Sequence, residues 1–380
     1  MEDSMAVFSS PLLQSFQELT DPRHDMNKKH FLLDIIAITI IGVIAGFEGW
    51  EDIEMFAQAR EKWLREFLRL PNGIPSHDTL RRTFMLLHPK KFGECLHHWM
   101  KTLQTDTQQK VYAIDGKTFR RSGDVASKQK AIHMVSAWAV ENGLVLAQEA
   151  VKEKSNEITA IPELLKVLDL NGAFVSIDAM GCQTAIAKDI ATGKGQYLLA
   201  VKKNQNDLHE QIKDFFDESE RVSFSDVVYD SHKIVEKDHG RLEERTCYVV
   251  QDLDWLEGKE RWAKLKAVVM VLSSRTVQGK KTQDRRYYIT NSEQSARVIA
   301  GAIRSHWGVE NSLHYSLDMT FGEDQSRKRK DNSGVNFGII RRLALSLLRQ
   351  VKSERGSLNW KRHLAAIDTD FLAKVLLGKF

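Results

Sequence analysis

Between residues 111 and 217 short apolar runs alternate with stretches of helical spacing, and this alternation restricts the fold more than any other feature of the chain. Residues 111–114, 133–140, 144–151, 173–177 and 197–201 read as strands. Glu141-Asn142-Gly143 separates the second run from the third and is a hairpin turn, because Asn and Gly tolerate positive φ. Residues 156–168, 184–191 and 206–217 carry apolar side chains three and four apart and read as helices. Three strands with a hairpin, followed by helix–strand repeats, predict an α/β fold with a mixed sheet and helices on its faces.

The flanks have a different texture. Residues 1–105 read as an all-helical N-terminal domain. Its most apolar stretch, 31–46, is interrupted by Asp34 and Thr39 and is too short to span a membrane. It is expected to be a buried helix ended by Gly46 and Gly49. Pro71-Asn72-Gly73 is a turn, and Ser76 caps a short helix that carries Arg81 and Arg82 before His88-Pro89-Lys90-Lys91 closes it. Those arginines suit a helix-turn-helix contact with DNA, or equally the polar outer face of a helical cap. Residues 218–291 alternate in the manner of a β-rich insertion. Helices are expected at 292–317 and 332–349, inside a catalytic unit covering 106–350, with a helical tail at 351–380.

Composition excludes several classes. The 380 residues carry a formal net charge of +4, and the pI is about 8.7, so the total by itself does not demand a polyanion. Basic residues nevertheless cluster at Lys117/Arg120/Arg121, Lys202/Lys203, Lys280/Lys281/Arg285/Arg286 and 327–330. Such clusters either contact phosphates or form solvated faces. Cys95, Cys182 and Cys247 are scattered, with no CxxC pair, which argues against a zinc ribbon or a disulfide framework and fits a reducing cytoplasm. No secretory signal pattern opens the chain.

Two aspartates share one setting. Asp115 follows Val111-Tyr112-Ala113-Ile114, and Asp178 follows Phe174-Val175-Ser176-Ile177; each precedes a small residue. Strand ends in an α/β sheet are where reacting groups collect. A lone strand-end Asp is usually a cap, but a matched pair on neighbouring strands is harder to dismiss. Glu310 adds a third carboxylate. Ile299, Ile303, His306, Glu310, Leu313 and Leu317 fall on one helical stripe, so Glu310 is expected to face inward, where a carboxylate needs a partner or a metal. A salt bridge to an arginine such as Arg304 is the structural alternative. Three carboxylates make an all-oxygen cage for Mg²⁺ or Mn²⁺, and two such ions roughly 3.5–4 Å apart serve phosphodiester chemistry.

The chain resembles the DDE insertion-sequence transposases, in particular their H-repeat-associated branch. The residues that carry the likeness run in order through nearly the whole chain. They are Gly73-Ile74-Pro75-Ser76-His77-Asp78-Thr79, Ala113-Ile114-Asp115-Gly116-Lys117-Thr118, Glu153-Lys154-Ser155-Asn156-Glu157-Ile158 and Asp178-Ala179-Met180-Gly181-Cys182-Gln183. Then come Ala200-Val201-Lys202-Lys203-Asn204-Gln205, His239-Gly240-Arg241, Arg286-Tyr287-Tyr288-Ile289 and His306-Trp307-Gly308-Val309-Glu310-Asn311. The resemblance implies a ribonuclease H-like sheet with a β-rich insertion ahead of the last carboxylate, and Asp115, Asp178 and Glu310 as ligands of two Mg²⁺ or Mn²⁺ ions. It also implies cleavage at terminal inverted repeats, transfer of the 3′-OH into target DNA, and a homodimer on double-stranded DNA. Related transposases often place Tyr, Arg and Lys around the glutamate, where this chain has Ile303, His306 and Leu317. His306 stands in for the arginine as a phosphate contact, and Glu323 and Asp324 are rivals for the third carboxylate.

Further DNA contacts are expected at Lys117, Lys202, Lys203, His239 and Arg241. Arg241, Glu243 and Arg245 share a strand face, either to grip phosphate or to form a cross-strand ion-pair ladder. Trp255, Trp262 and Trp307 would stack on a base or sit in the core, with core the reading for Trp307. Tyr287 and Tyr288 are expected to point to opposite sides of a strand, without the Arg/His cluster a tyrosine recombinase needs. Two rival functions remain from sequence alone: a nuclease that cuts without rejoining, and a non-catalytic DNA-binding descendant of a transposase.

Overall fold

The computed structural model describes residues 11–104, 110–124, 128–151, 157–238, 241–278, 280–351 and 356–377. Glu153–Asn156 of the resemblance motifs, His239 and Gly240 lie outside them.

The elements before the first strand are helices: α1 (Leu32–Ile44), α2 (Trp50–Ala59), α3 (His77–Leu86) and α4 (Pro89–Thr102), with one-turn helices at Pro11–Gln14 and Glu61–Leu64. α1 is buried on nearly every side. Its Asp34 survives burial because its carboxylate accepts the Leu70 N–H at 3.0 Å and the Arg69 N–H at 3.4 Å. Ser76 caps α3 by accepting the Thr79 N–H. Pro89 does not close that helix; it opens α4, where its missing N–H costs nothing.

Nine strands follow: β1 (Val111–Thr118), β2 (His133–Ala139), β3 (Leu144–Val151), β4 (Phe174–Ile177), β5 (Gln196–Val201), β6 (Tyr229–Asp238), β7 (Arg241–Val250), β8 (Ala267–Val277) and β9 (Lys280–Thr290). Helices α5 (Glu157–Val167), α6 (Thr184–Thr192) and α7 (Asn206–Arg221) connect the strands from β3 to β6. All nine strands form one mixed sheet in the order β3-β2-β1-β4-β5-β9-β8-β7-β6. β1, β4 and β5 run parallel, while β2 and β3 pair antiparallel beside them. β9 pairs antiparallel with β5, and the meander of β6 to β9 extends the same sheet.

Both faces of the sheet are covered, because side chains alternate across a strand. Val175, Leu199 and Tyr287 join the large core, whereas Phe174, Leu198 and Tyr288 pack with Ile299 and Ile303 on the other side. Tyr287 and Tyr288 do point to opposite faces, but each is buried. The helix expected at 292–317 begins as α8 (Ala296–Gly308), widens into a π-helical turn (Val309–His314) and resumes as α9 (Tyr315–Met319). α10 (Ser333–Gln350) packs against α1, α3 and α4, and is followed by α11 (Leu358–Ile367) and α12 (Thr369–Leu377). No helix among the described residues is long and apolar enough to cross a membrane.

Candidate active site

Strand register brings two carboxylates together. β1 and β4 run parallel with Ile114 paired to Ile177, so Asp115 and Asp178 take the next position on adjacent strands. Asp178 ends its strand. Asp115 does not, because β1 stays paired with β2 as far as Thr118. Asp115 Oδ1 accepts the Gly116 N–H at 2.9 Å. Asp178 Oδ1 accepts the Met180 and Gly181 N–H groups at 3.0 and 3.4 Å, which caps the one-turn helix Ala179–Gly181. Asn204 and Gln205, just beyond β5, hold this turn by donating to Ala179 O at 2.6 Å and Cys182 O at 2.9 Å. Sequence reading quoted those residues only as a motif.

The wall behind Asp115 is tight. His133 Nε2 lies 2.5 Å from Glu157 Oε1, and His133 Nδ1 lies 2.7 Å from the Thr118 hydroxyl. A Cβ on Gly116 would stand 2.4 Å from Glu157 Oε1 and 2.5 Å from His133 Nε2, so only glycine lets these buried groups approach the strand.

Glu310 reaches the same place from the π-helical turn. Ile299, Ile303, Leu313 and Leu317 are buried as the stripe requires, but the Glu310 side chain is 64% exposed. The inward-facing expectation is corrected here. A π turn adds a residue to the helical period, which turns Val309, Leu313 and His314 inward and leaves Glu310 at the rim. Arg304 is not its partner, since that guanidinium pairs with Glu236 at 3.3 Å. Glu310 instead meets His314, whose Nδ1 lies 3.4 Å from Glu310 Oε2 and 3.6 Å from Asp115 Oδ2. Asp115, Glu310 and His314 each offer a ligand atom, all within 4.8 Å of one another. Sequence reading missed His314. Its signal was the four-residue step from Glu310.

The electrostatics show what the cluster needs. Burial pushes the Asp115 carboxyl up to about 6, opposed by His314 and the Gly116 N–H, while the Asp178 and Glu310 charges push it further up. The hydrogen bond with His314 holds Glu310 below the usual range. Crowded carboxylates that destabilise one another's charge are what a cation would relieve.

The rival carboxylates have other partners. Glu323 and Arg342 are both fully buried and pair at 2.7 Å. Asp324 pairs with Lys117 at 3.2 Å and with Arg120 at 3.1 Å. Lys117, expected to contact DNA, is itself buried between Asp318 and Asp324. His306 is a correction too. Burial lowers its pKa, and its buried Nδ1 has no hydrogen-bond partner among the described residues, so it is no exposed cation. Lys202 and Lys203 are exposed directly after β5, whose neighbour β4 leads to Asp178. Arg81 and Arg82 pair with Asp78 at 2.8 and 3.6 Å, and Arg82 remains 70% exposed. Arg241 starts β7, while Arg245 pairs with Glu236 at 2.5 Å and with Glu243, the ladder alternative. Trp307 is not core. It is 38% exposed, with the Arg286 guanidinium 3.9 Å from its ring centre. Trp262 is buried, and Trp255 stacks on Phe215 at 4.0 Å.

Residues 13–100 match the family described as DDE_Tnp_1-associated, and residues 106–347 match the one described as Transposase DDE domain. The protein named "H repeat-associated putative transposase YhhI", from Escherichia coli (strain K12), is 39% identical over 373 residues, which is 97% of this chain and 98% of the relative. "Putative transposase YncI" of Escherichia coli O157:H7 is 40% identical over 370 residues, 96% of this chain and 94% of the relative. The solved synaptic complex of piggyBac transposase with hairpin DNA aligns over 98% of this chain and 79% of that one with a TM-score of 0.43 and 11% identity, too loose a likeness to argue from. On the family matches and the near-full-length relatives, the chain belongs to the DDE transposases, in their H-repeat-associated branch.

Proposed function

We propose that this chain is a DNA transposase that hydrolyses the strand at the ends of its element and joins the freed 3′-OH to target DNA. The observation that carries this reading is the shared register of Asp115 and Asp178 beside Glu310 and His314. The antiparallel hairpin of β2 and β3 next to parallel β1, β4 and β5 supports a ribonuclease H-like catalytic core.

Asp115, Asp178 and Glu310 would hold Mg²⁺ or Mn²⁺, two ions in all. The carboxylate oxygens suit such hard ions, and the Asp115 carboxyl, raised chiefly by burial with the Asp178 and Glu310 charges adding to it, is one that a bound cation would hold ionised. Bound there, the ions supply Lewis acidity for the attacking and leaving oxygens of the phosphodiester. The protein's own groups do the rest. β1 and β4 fix two carboxylates on a rigid sheet, Asn204 and Gln205 brace the Asp178 turn, and His314 orients the exposed Glu310 carboxylate.

The substrate in this reading is double-stranded DNA, both terminal inverted repeats and target. Exposed Lys202 and Lys203 follow β5, the neighbour of the strand that leads to Asp178, and would meet the backbone there; Arg81, Arg82, His239 and Arg241 are proposed as further backbone contacts. Two transposon ends held together call for a homodimer on DNA, working in the cytoplasm.

The test is strand transfer on end-containing duplex with Mg²⁺. Joined products are expected. Cut but unjoined products would make the protein a nuclease, and Mg²⁺-independent binding without cutting would make it a non-catalytic DNA-binding protein. Full activity in Asp115→Asn and Asp178→Asn would overturn the site.

A further inference from the structure

The segment from Asp318 to Lys328 has two sides. One side presents Asp318 and Asp324 to Lys117 beside the carboxylates. The other lines a cavity of about 770 Å³, closed by the turn after α1 and by α10 and α11. Its inner wall is cationic. Arg341 and Arg362 are 2% and 3% exposed, and Lys328 lies between them and the α1 turn. Among the described residues one carboxylate, Glu48, pairs with both arginines, accepting from Arg341 Nε and Arg362 Nη2 at 2.9 Å each. Lys328 Nζ donates to the Glu48 carbonyl oxygen. Aromatic rings compensate in part: Phe337 lies 3.9 Å from Lys328 Nζ, and Phe321 lies 4.2 Å from the Arg362 guanidinium.

The compensation is incomplete. Arg362 Nε is buried and has no hydrogen-bond partner among the described residues. Gly46 stands beside it, where an added Cβ would lie 4.0 Å away, at ordinary contact distance, so a small shift of this turn would open the free N–H to the cavity. Burial and the Arg341 charge push Lys328 down to about 8. Buried cations in excess of their counter-charges are costly unless an anion joins them.

We propose that this cavity is a phosphate-binding site, in which phosphate oxygens accept hydrogen bonds from Arg362 Nε, Arg341 and Lys328. A guanidinium fork matches a phosphate's oxygens, and the cavity opens past exposed Arg327 and His363, which would admit a backbone phosphate of DNA or free phosphate alike. The site stands independently of the proposed catalytic reading, because it shares none of the three carboxylates.

Thermal unfolding of the whole chain in inorganic phosphate, against chloride at equal ionic strength, tests it. At about a hundredfold excess over its Kd, phosphate should raise Tm by about 2–4 °C over chloride. Glu48→Gln removes the competing carboxylate, so its phosphate-dependent rise should exceed that of the parent even though it unfolds earlier in chloride. A Glu48 that merely held the fold would leave the two rises equal. Arg362→Lys keeps the charge but loses the Nε donor, and should weaken phosphate roughly tenfold. Competition with a short duplex separates the sources: displacement by duplex assigns the site to backbone phosphate, and its absence to free phosphate. Equal melting in phosphate and chloride, for both the parent and Glu48→Gln, overturns the proposal; should Glu48→Gln fail to fold, the parent and Arg362→Lys decide it.

Discussion

Asp115 and Asp178 sit on paired strands, whereas Glu310 and His314 sit on a helix whose period breaks between them. On the strands, hydrogen-bonded register sets where a side chain goes, and neighbouring residues can do little to change it. On the helix, one widened turn is enough to rotate a predicted inward carboxylate to the rim. A site built across the two regions thus joins a stiff half to an adjustable half. π turns recur at functional positions for that reason: they re-aim side chains that a regular helix would bury.

The comparison can be broken most sharply at the stiff half. Asp115→Asn and Asp178→Asn should each cut strand cleavage by about 10³-fold or more, a loss at the upper end of that from removing one oxyanion donor, with Tm little changed. Equal loss in both variants would sustain their pairing; a large difference would separate their roles. The next largest effect contrasts two glutamates. Glu323→Gln leaves Arg342 buried without its counter-charge and should cost about 3–5 kcal/mol of stability in chemical denaturation. Glu310→Gln, on an exposed side chain, should change stability by no more than about 0.5 kcal/mol while impairing cleavage. If their effects were exchanged, Glu323 would be the working carboxylate. Gly116→Ala should destabilise the fold by about 1–3 kcal/mol, because the new methyl meets Glu157 and His133.

The smallest effect is a pH slope in the metal-free protein. The folded Asp115 carboxyl binds its proton up to about pH 6, against an ordinary value of 3.8. Between those values the folded state holds a proton that the unfolded chain has released. The group's contribution to stability is therefore complete at low pH and is lost as pH rises through 6. Between pH 4 and 7 the stability of the parent should fall relative to that of Asp115→Asn by a total on the order of 1–3 kcal/mol. Parallel curves would show that Asp115 is not desolvated.

Much of the sheet was legible because strands advertise themselves locally. The apolar runs, the Asn142-Gly143 turn and the repeated Ile-Asp-small pattern are all local features, and each has its place in the sheet. The β6 to β9 meander was recognised as a β-rich insertion, but its place in the sheet was not. Its attachment through β9 to β5 joins residues about 90 apart, and no local spacing encodes that pairing. Lys117 read as a phosphate contact because clustered basic residues look alike in sequence. Only packing shows that Asp318 and Asp324, some 200 residues away, already hold it. Trp307 read as core because tryptophan usually is, yet it lies half open under Arg286.

By itself the sequence determined the strand and helix alternation, the family, and the two strand carboxylates, since each depends on residues close in the chain or on motifs in fixed order. The tertiary structure alone decided that Glu310 stands at a rim with His314, that Glu323 is consumed by Arg342, and that three cations share Glu48 around one cavity. Those outcomes turn on which charges meet after folding, and a charge in sequence carries no record of its partner until burial makes an unpaired one costly.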